Sequence, residues 1–506
     1  MRENFGKRLY QLSFSDVAAR RELYFKTKAA AEVTADSLFV PAGGTVDLLT
    51  YFNSFSLKQW KKYTSIENLL IKGCLNGRAR IDVVGVDSGN GDTVIASFET
   101  DKDFNRCFDV ADMDCVLLGL NITAIDDCRL TDIAYYGEFA SWRDLKIGIA
   151  ICTFRREEYV RRTMAKLIEF SKGNSWLSTL VVDNGATLPL TEGESLKIVH
   201  NPNYGGSGGF TRGLIENLAR RDNDYVLLMD DDIDLDPLVL TKTHSLLGGL
   251  KPKYQDSFLA GAMLKMEKPC IQHENTAYWR KILSCPLGEG WDLTDRKMLL
   301  ANEAIGEYRN QYAAWWYACL PLKRVAAIGL PLPVFIKGDD IEYSIRNDRP
   351  IIHLNGIGVW HKSFAEKKSR AVNYFWDRNG HIIHHYIADC NRLTFVISVV
   401  CRLLKRSLEG KKDDIAVMEL ALKDVRRGFE ELTKMPADKY FAMIRDYRFS
   451  AGGFACTWRV LKTAIKIAAD YSKIHRDYVR FREDKLMDSK WWLDYLAKAG
   501  RADEVK

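Results

Sequence analysis

Between residues 145 and 236 short apolar runs alternate with stretches of helical spacing. "LKIGIAICTF", "STLVVDNG" and "DYVLLMDDD" are continuous apolar segments that each end in polar residues, and "EEYVRRTMAKLIEFSK" and "GFTRGLIENLARR" lie between them. Uninterrupted apolar runs of this length read as strands buried on both faces, and the intervening periodicity reads as crossover helices. The pattern predicts an α/β unit with parallel strands, which gathers ligands at the carboxyl ends of those strands. The polar exits that begin at Thr153, Asp183 and Asp230 should then line one crevice.

The flanks read differently. Residues 1–140 mix alternating apolar positions with Gly, Asn and Asp turns, "DSGNGD" being a hairpin cue, and predict a β-rich sandwich or small barrel. Residues 141–390 hold the α/β unit. Residues 391–506 carry apolar positions at helical spacing with dense Lys and Arg, as in "DDIAVMELALKDVRRGFEELTKM", and predict an α-helical domain. Its basic amphipathic faces suit an anionic membrane surface, and equally a solvated bundle or an oligomer interface. No internal repeat or low-complexity linker is evident.

Composition narrows the class. A chain of 506 residues calls for more than one core, and 47% apolar with 28% charged residues is ordinary for a globular protein. A net charge of +6 over this length is too mild to argue for a nucleic-acid partner. The 11 cysteines are scattered without CxxC spacing, which reads as reduced thiols rather than a disulfide frame or a zinc site. With no signal-peptide pattern in "MRENFGKRLYQLSFSDVAAR", and "LTFVISVVCRLL" at 393–404 too short to span a bilayer, the expectation is a cytoplasmic protein, peripheral on the membrane at most.

Chemistry concentrates in four places. Asp230, Asp231 and Asp232 follow a buried-strand pattern, and alternation points Asp230 and Asp232 together while Asp231 faces elsewhere. Two converging carboxylates make a hard-oxygen seat for Mn²⁺ or Mg²⁺, with room left for phosphate oxygens. In "NPNYGGSGGFTRG", Gly205, Gly206, Ser207, Gly208 and Gly209 predict a turn that approaches a sugar or phosphate, followed by a helix. The spacing does not match a P-loop. In "VFIKGDDIEYSIR", Asp339 either caps a helix or, with Asp340, offers a carboxylate for general-base work. His361 ends "NGIGVWH" and is structural or a ligand. Trp315 and Trp316 are half-buried aromatics whose indole faces could also stack on a sugar ring.

Taken in order, "CTFRR", "VVDNGA", "NPNYGGSGGF", "LMDDDI", "WWYACLP", "PLPVFIKGDD" and "VWH" resemble glycosyltransferase family 2, and within it the galactofuranosyltransferases that use UDP-galactofuranose. The resemblance covers about residues 145–385. It implies a GT-A central domain with a mostly parallel, Rossmann-like sheet, a β-sandwich before it, a helical domain after it, and a homo-oligomer. It places Thr153 and Arg156 at the uridine diphosphate, Asp183 near the uracil and Asp231 toward the ribose or donor sugar. It makes Asp230, Asp232 and His361 the metal ligands and Asp340 the catalytic base. Lys337, Asp339, Trp315 and Trp316 fall around the donor and acceptor sugars, and His273 and Glu274 near the acceptor.

The chain also departs from the family pattern. Arg155 stands where an asparagine is usual, and Trp376 in "YFWDRN" stands at the place of a histidine, which implies a different acceptor or a single addition. The implied reaction is an inverting, metal-dependent transfer of galactofuranose to a hydroxyl of a glycan or lipid-linked glycan, of bacterial cell-wall, capsule or O-antigen type. Another family 2 donor, rhamnosyl or glucosyl, is the nearest alternative. A non-catalytic carbohydrate-binding scaffold and a phosphohydrolase with Asp230 as nucleophile are the readings from other classes.

Overall fold

The computed structural model describes residues 6–503 apart from 16, 35–36, 88, 90, 281–282, 364–368, 388–389 and 448–453. The alternating segments near the N-terminus pair into two antiparallel sheets. One runs Glu32–Val33, Ser37–Val40, Cys128–Phe139, Ile66–Asn76, Phe104–Asp109, with Lys7–Gln11 also on Cys128–Phe139. The other runs Lys26–Thr27, Thr45–Asp47, Leu117–Ala124, Ala79–Asp87, Gly91–Thr100. Their inward residues, among them Leu69, Ile71, Ile81 and Leu118, belong to one core. The hairpin expected at "DSGNGD" joins Ala79–Asp87 to Gly91–Thr100, although residues 88 and 90 of its turn lie outside the described residues.

The apolar runs of the central segment form the sheet that the sequence predicts, with a modification. Strands Leu196–His200, Leu177–Asp183, Ile147–Thr153 and Tyr225–Asp230 are neighbours in that order and pair in parallel. Thr191–Glu192 on one side, and Tyr317–Pro321 then Leu259–Ala260 on the other, extend the sheet antiparallel. "Mostly parallel" therefore holds for its centre and not for its edges. The register sets Thr153 opposite Asp183 and Cys152 opposite Asp230, so the three polar exits share one rim.

The glycine run requires a correction. Gly205, Gly206, Ser207, Gly208 and Gly209 are not a loop before a helix but the opening turns of the helix Gly205–Arg220. They are small because the helix is pressed against its neighbours. A Cβ on Gly209 would meet Cys152 Sγ at 2.1 Å, one on Gly208 would meet Tyr204 Cβ at 2.3 Å, and one on Gly205 (φ +67°) would meet the Phe335 carbonyl oxygen at 2.2 Å. Ser207 is fully buried and its hydroxyl donates to the Leu332 carbonyl at 2.5 Å. Close packing of the helix start against Cys152, Tyr204 and the segment 332–335 accounts for these four. Gly206 alone looks toward the site, with Asp339 Oδ2 at 3.6 Å from the position of a Cβ.

A second small sheet folds over the rim. It runs Ile233–Asp234, Gly358–His361, Ala262–Lys265, Lys268–Glu274, and pairs Ile233 with His361. The helical part begins at Arg370–His384 and continues with Arg392–Leu408, Lys412–Arg427, Ala437–Asp446, Phe454–Ala469, Tyr471–Lys485 and Ser489–Asp503. Asp377, fully buried, ties the first of these helices to Arg402 and Arg406. The last helix returns to the central unit, where Trp492 Nε1 donates to the Pro331 carbonyl and the Tyr204 hydroxyl donates to the Tyr495 carbonyl. No helix among the described residues is long and apolar enough to cross a membrane.

Candidate active site

The strand Tyr225–Asp230 carries its apolar side chains into the core and stops at Asp230. Asp231 and Asp232 lie in the turn before Ile233–Asp234. Strand alternation is thus not what separates the three carboxylates, but the separation itself is as expected. Asp230, Asp232 and His361 offer ligand atoms that all lie within 4.8 Å of one another. His361 Nε2 is 2.9 Å from Asp232 Oδ1 and 3.7 Å from Asp230 Oδ2.

This donor set fits a divalent cation. His361 Nδ1 lies 2.6 Å from the Lys362 carbonyl oxygen, a contact that places a proton on Nδ1. Nε2 faces the two carboxylates, where it donates to Asp232 when protonated and would offer its lone pair to a bound cation. Burial by itself would lower the pKa of His361. The Asp232 hydrogen bond and the charges of Asp230 and Asp232 outweigh burial and raise it. An imidazolium here would be held by the same negative charge that attracts a metal ion.

Asp231 turns the other way and is taken up inside the protein. Its Oδ2 accepts from the Thr153 hydroxyl at 2.7 Å and its Oδ1 from Arg156 at 3.1 Å. Arg156 also donates to Asp232 Oδ2 at 2.5 Å, so its guanidinium bridges the two carboxylates and offsets their repulsion. Burial pushes Asp231 up to about 6, against the Arg156 charge and the Thr153 bond that lower it. Thr153 and Arg156, expected at a diphosphate, are thus placed first as partners of the acidic cluster. The Arg156 side chain stays 37% exposed and keeps donors for an anion.

Asp183 is fully buried and also spoken for. It accepts the N–H groups of Gly185 at 2.8 Å, Thr187 at 2.6 Å and Leu188 at 2.7 Å, and so shapes the loop beyond its strand rather than presenting a free carboxylate.

Across the crevice, Asp339 and Asp340 open the helix Asp339–Asn347, next to Lys337 and Gly338 in a turn of left-handed residues. The N-cap is Gly338, and the Asp339 carboxyl interacts with the first N–H groups of the helix, those of Asp339 and Asp340. Burial and mutual repulsion raise both carboxyls, and Asp340 is raised further by Asp230. Lys337 and the Ile341 N–H, 2.8 Å from Asp340 Oδ1, pull Asp340 back toward ionisation. Of the pair, the half-buried Asp340 senses the metal carboxylates, while Asp339 is buried.

Glu274 lies at the end of Lys268–Glu274, buried and pushed up to about 8 by desolvation and then by Asp340. Its Oε1 has no hydrogen-bond partner among the described residues. His273 beside it meets Trp316 edge-on at 6.4 Å, and Trp316 Nε1 donates to the Gly261 carbonyl. Trp315 packs on Phe210 at 5.2 Å and Tyr343 at 6.2 Å, and its Nε1 has no hydrogen-bond partner among the described residues. Arg378 and Asn379, met in the sequence only within "YFWDRN" and given no role there, bond to the backbone below Lys337. Two polar residues on a helix face otherwise marked by Tyr374, Phe375, Ile382 and Ile383 were the available signal.

A four-stranded parallel centre, an Asp-x-Asp pair with a histidine at its carboxyl rim, and an acidic helix opposite form one crevice, and the curated relatives of this chain support a glycosyltransferase. Residues 14–137 match the family described as Galactofuranosyltransferase 2 N-terminal. The chain is similar to galactofuranosyltransferase GlfT2 of Mycolicibacterium smegmatis, with 24% identity over 476 residues, covering 80% of this chain and 71% of the relative. To galactofuranosyltransferase GlfT2 of Mycobacterium tuberculosis the identity is 24% over 465 residues, covering 81% and 70%. Among solved structures, the mannosyltransferase PcManGT of Pyrobaculum calidifontis, in complex with GDP-Man and Mn²⁺, aligns at 12% identity and a TM-score of 0.33, over 65% of this chain and 86% of its own.

Proposed function

We propose that this glycosyltransferase moves galactofuranose from UDP-galactofuranose to a hydroxyl of a glycan acceptor, with inversion at the anomeric carbon. The observation that carries the reading is the Asp230–Asp232–His361 trio within 4.8 Å, facing Asp340 across the crevice. The donor sugar rests on the similarity to the two galactofuranosyltransferases, which extends over four-fifths of the chain.

The residues divide the work. Asp230, Asp232 and His361 would hold Mn²⁺ or Mg²⁺. When bound, such an ion supplies positive charge to balance a departing diphosphate. Arg156, already bridging Asp231 and Asp232, has donors left for the same anion. Asp340 takes the proton of the acceptor hydroxyl, which attacks the anomeric carbon from the face opposite the leaving nucleotide. Lys337 and the Ile341 N–H favour the ionised form of Asp340 against the desolvation that raises its pKa. Glu274, largely protonated at neutral pH, donates to an acceptor hydroxyl from the wall formed with His273 and Trp316. A panel of nucleotide sugars, offered to the full chain with Mn²⁺ and synthetic glycan acceptors, tests the donor. Turnover is expected with UDP-galactofuranose; turnover confined to a rhamnosyl or glucosyl donor rejects it.

The reading extends to the cytoplasmic membrane face. On the helix Arg392–Leu408, Leu393, Ile397, Leu404 and Leu408 are all exposed along one side, Leu408 at 88%. The helix Phe454–Ala469 packs alongside and exposes Trp458 and Ile465. Exposed Lys405, Lys412, Lys462 and Lys466 border the patch. Apolar side chains rimmed by cations fit an anionic lipid surface, each cation adding about 1 kcal/mol. The full chain should co-sediment with phosphatidylserine-containing vesicles and less with phosphatidylcholine alone, and L404E with W458E should abolish the difference. Equal recovery with both vesicle types overturns the assignment.

A further inference from the structure

The backbone that carries Lys337, Asp339 and Asp340 adopts a conformation its own sequence disfavours. Phe335 and Lys337 have φ of +70° and +68°, and Gly338 has +86°. Left-handed backbone at non-glycine residues persists only where the surroundings impose it. Here two helices do so. From one side, the Ser207 N–H donates to the Phe335 carbonyl at 3.1 Å and the Ser207 hydroxyl donates to the Leu332 carbonyl at 2.5 Å.

From the other side comes the pair Arg378–Asn379 on the helix Arg370–His384, 3% and 1% exposed. Arg378 Nε donates to Asn379 Oδ1 at 2.9 Å, which fixes the orientation of the amide. The Asn379 NH₂ group then faces three carbonyl oxygens, those of Val334 at 3.2 Å, Ile336 at 2.8 Å and Lys337 at 2.6 Å. Arg378 Nη2 adds a bond to Val334 at 2.8 Å, and its guanidinium lies 4.7 Å over the Phe375 ring. The helix sits directly under the turn, since a Cβ on Gly338 would be 2.9 Å from Ile383 Cδ1 and 3.5 Å from Asn379 Cβ.

We propose that Asn379 is a positioning residue for the transfer step, its amide holding the carbonyls of residues 334–337 so that Lys337 and Asp340 are presented to the metal carboxylates. The inference rests on the reading of Asp340 as base. Every side-chain hydrogen bond described for Asn379 goes to this turn or to Arg378, so its loss should release the turn and leave the strand ends that would bind the nucleotide as they are.

The test compares the full chain with Asn379→Asp, which keeps the size and the oxygen that accepts from Arg378 but replaces the donors, and with Asn379→Ala. Three quantities are read: kcat and donor KM with UDP-galactofuranose, UDP affinity in Mn²⁺, and amide hydrogen exchange. Misplacement by about 1 Å can lower a rate about 10²-fold, so kcat should fall about 10- to 100-fold. Donor KM and UDP affinity should stay unchanged, and faster exchange should be confined to residues 334–341. Unchanged kcat, or loss of kcat, UDP affinity and protection together across the helical part, overturns the proposal. If the unaltered chain transfers from no donor, the glycosyltransferase reading fails. Exchange then still decides the clamp, and unchanged protection of 334–341 in both variants rejects it.

Discussion

Asp340→Asn lowers sugar transfer about 10²- to 10⁴-fold while UDP-sugar binding persists, the range expected for removal of a positioned general base. That loss corresponds to about 3–5 kcal/mol of transition-state stabilisation. The substitution preserves the shape of the side chain and the oxygen that accepts the Ile341 N–H, so the helix should keep its first turn. It also removes a negative charge from a place where burial, Asp339 and Asp230 all oppose one, so stability should hold or rise. A rise in stability with a collapse in turnover is the signature of a group kept for chemistry. Near-normal turnover would remove Asp340 from the base role. Steady-state kinetics beside a UDP titration separates the two outcomes.

Asp232→Asn weakens Mn²⁺ binding at least about 10- to 100-fold, the loss seen even for residues that only support a metal ligand. Asp232 is the better test than Asp230 because it touches both His361 and Arg156, so its charge is felt on both sides of the rim. Asp234 supplies the control. It lies two residues on, but Arg20 and Lys166 neutralise it, and Asp234→Asn should leave metal affinity unchanged. Calorimetric titration of Mn²⁺ in the presence of UDP reads both variants. Equal affinity in Asp232→Asn and the unaltered chain would move the metal away from this trio.

What could be read along the chain was local. The apolar runs ending at Thr153, Asp183 and Asp230 have the length and continuity of buried parallel strands, and their exits meet on one rim. The partners of those exits were not legible. Whether Asp183 faces a ligand or its own loop depends on where the N–H groups of residues 185–188 fall, which composition does not encode. The glycines at 205–209 misled for a related reason, because a run of glycine suggests a loop, while here it answers to close neighbours such as Cys152 on a distant strand and the Phe335 carbonyl. His361 reaches the carboxylates through pairing of Gly358–His361 with Ile233–Asp234, a contact across more than a hundred residues. Only the family resemblance pointed to it from the sequence. The turn at 335–338 carries no sequence signal for left-handed Phe335 and Lys337, since its conformation is imposed by Ser207 and Asn379.

The central claim is transfer of galactofuranose by single displacement. The measurement that tests it most directly is the structure of the product formed by the full chain from UDP-galactofuranose, Mn²⁺ and a synthetic glycan acceptor. Anomeric configuration and linkage are read by NMR and mass. A new galactofuranosyl linkage of configuration opposite to the donor's is the expected product. Retained configuration, or an unextended acceptor while another nucleotide sugar is consumed, would contradict it.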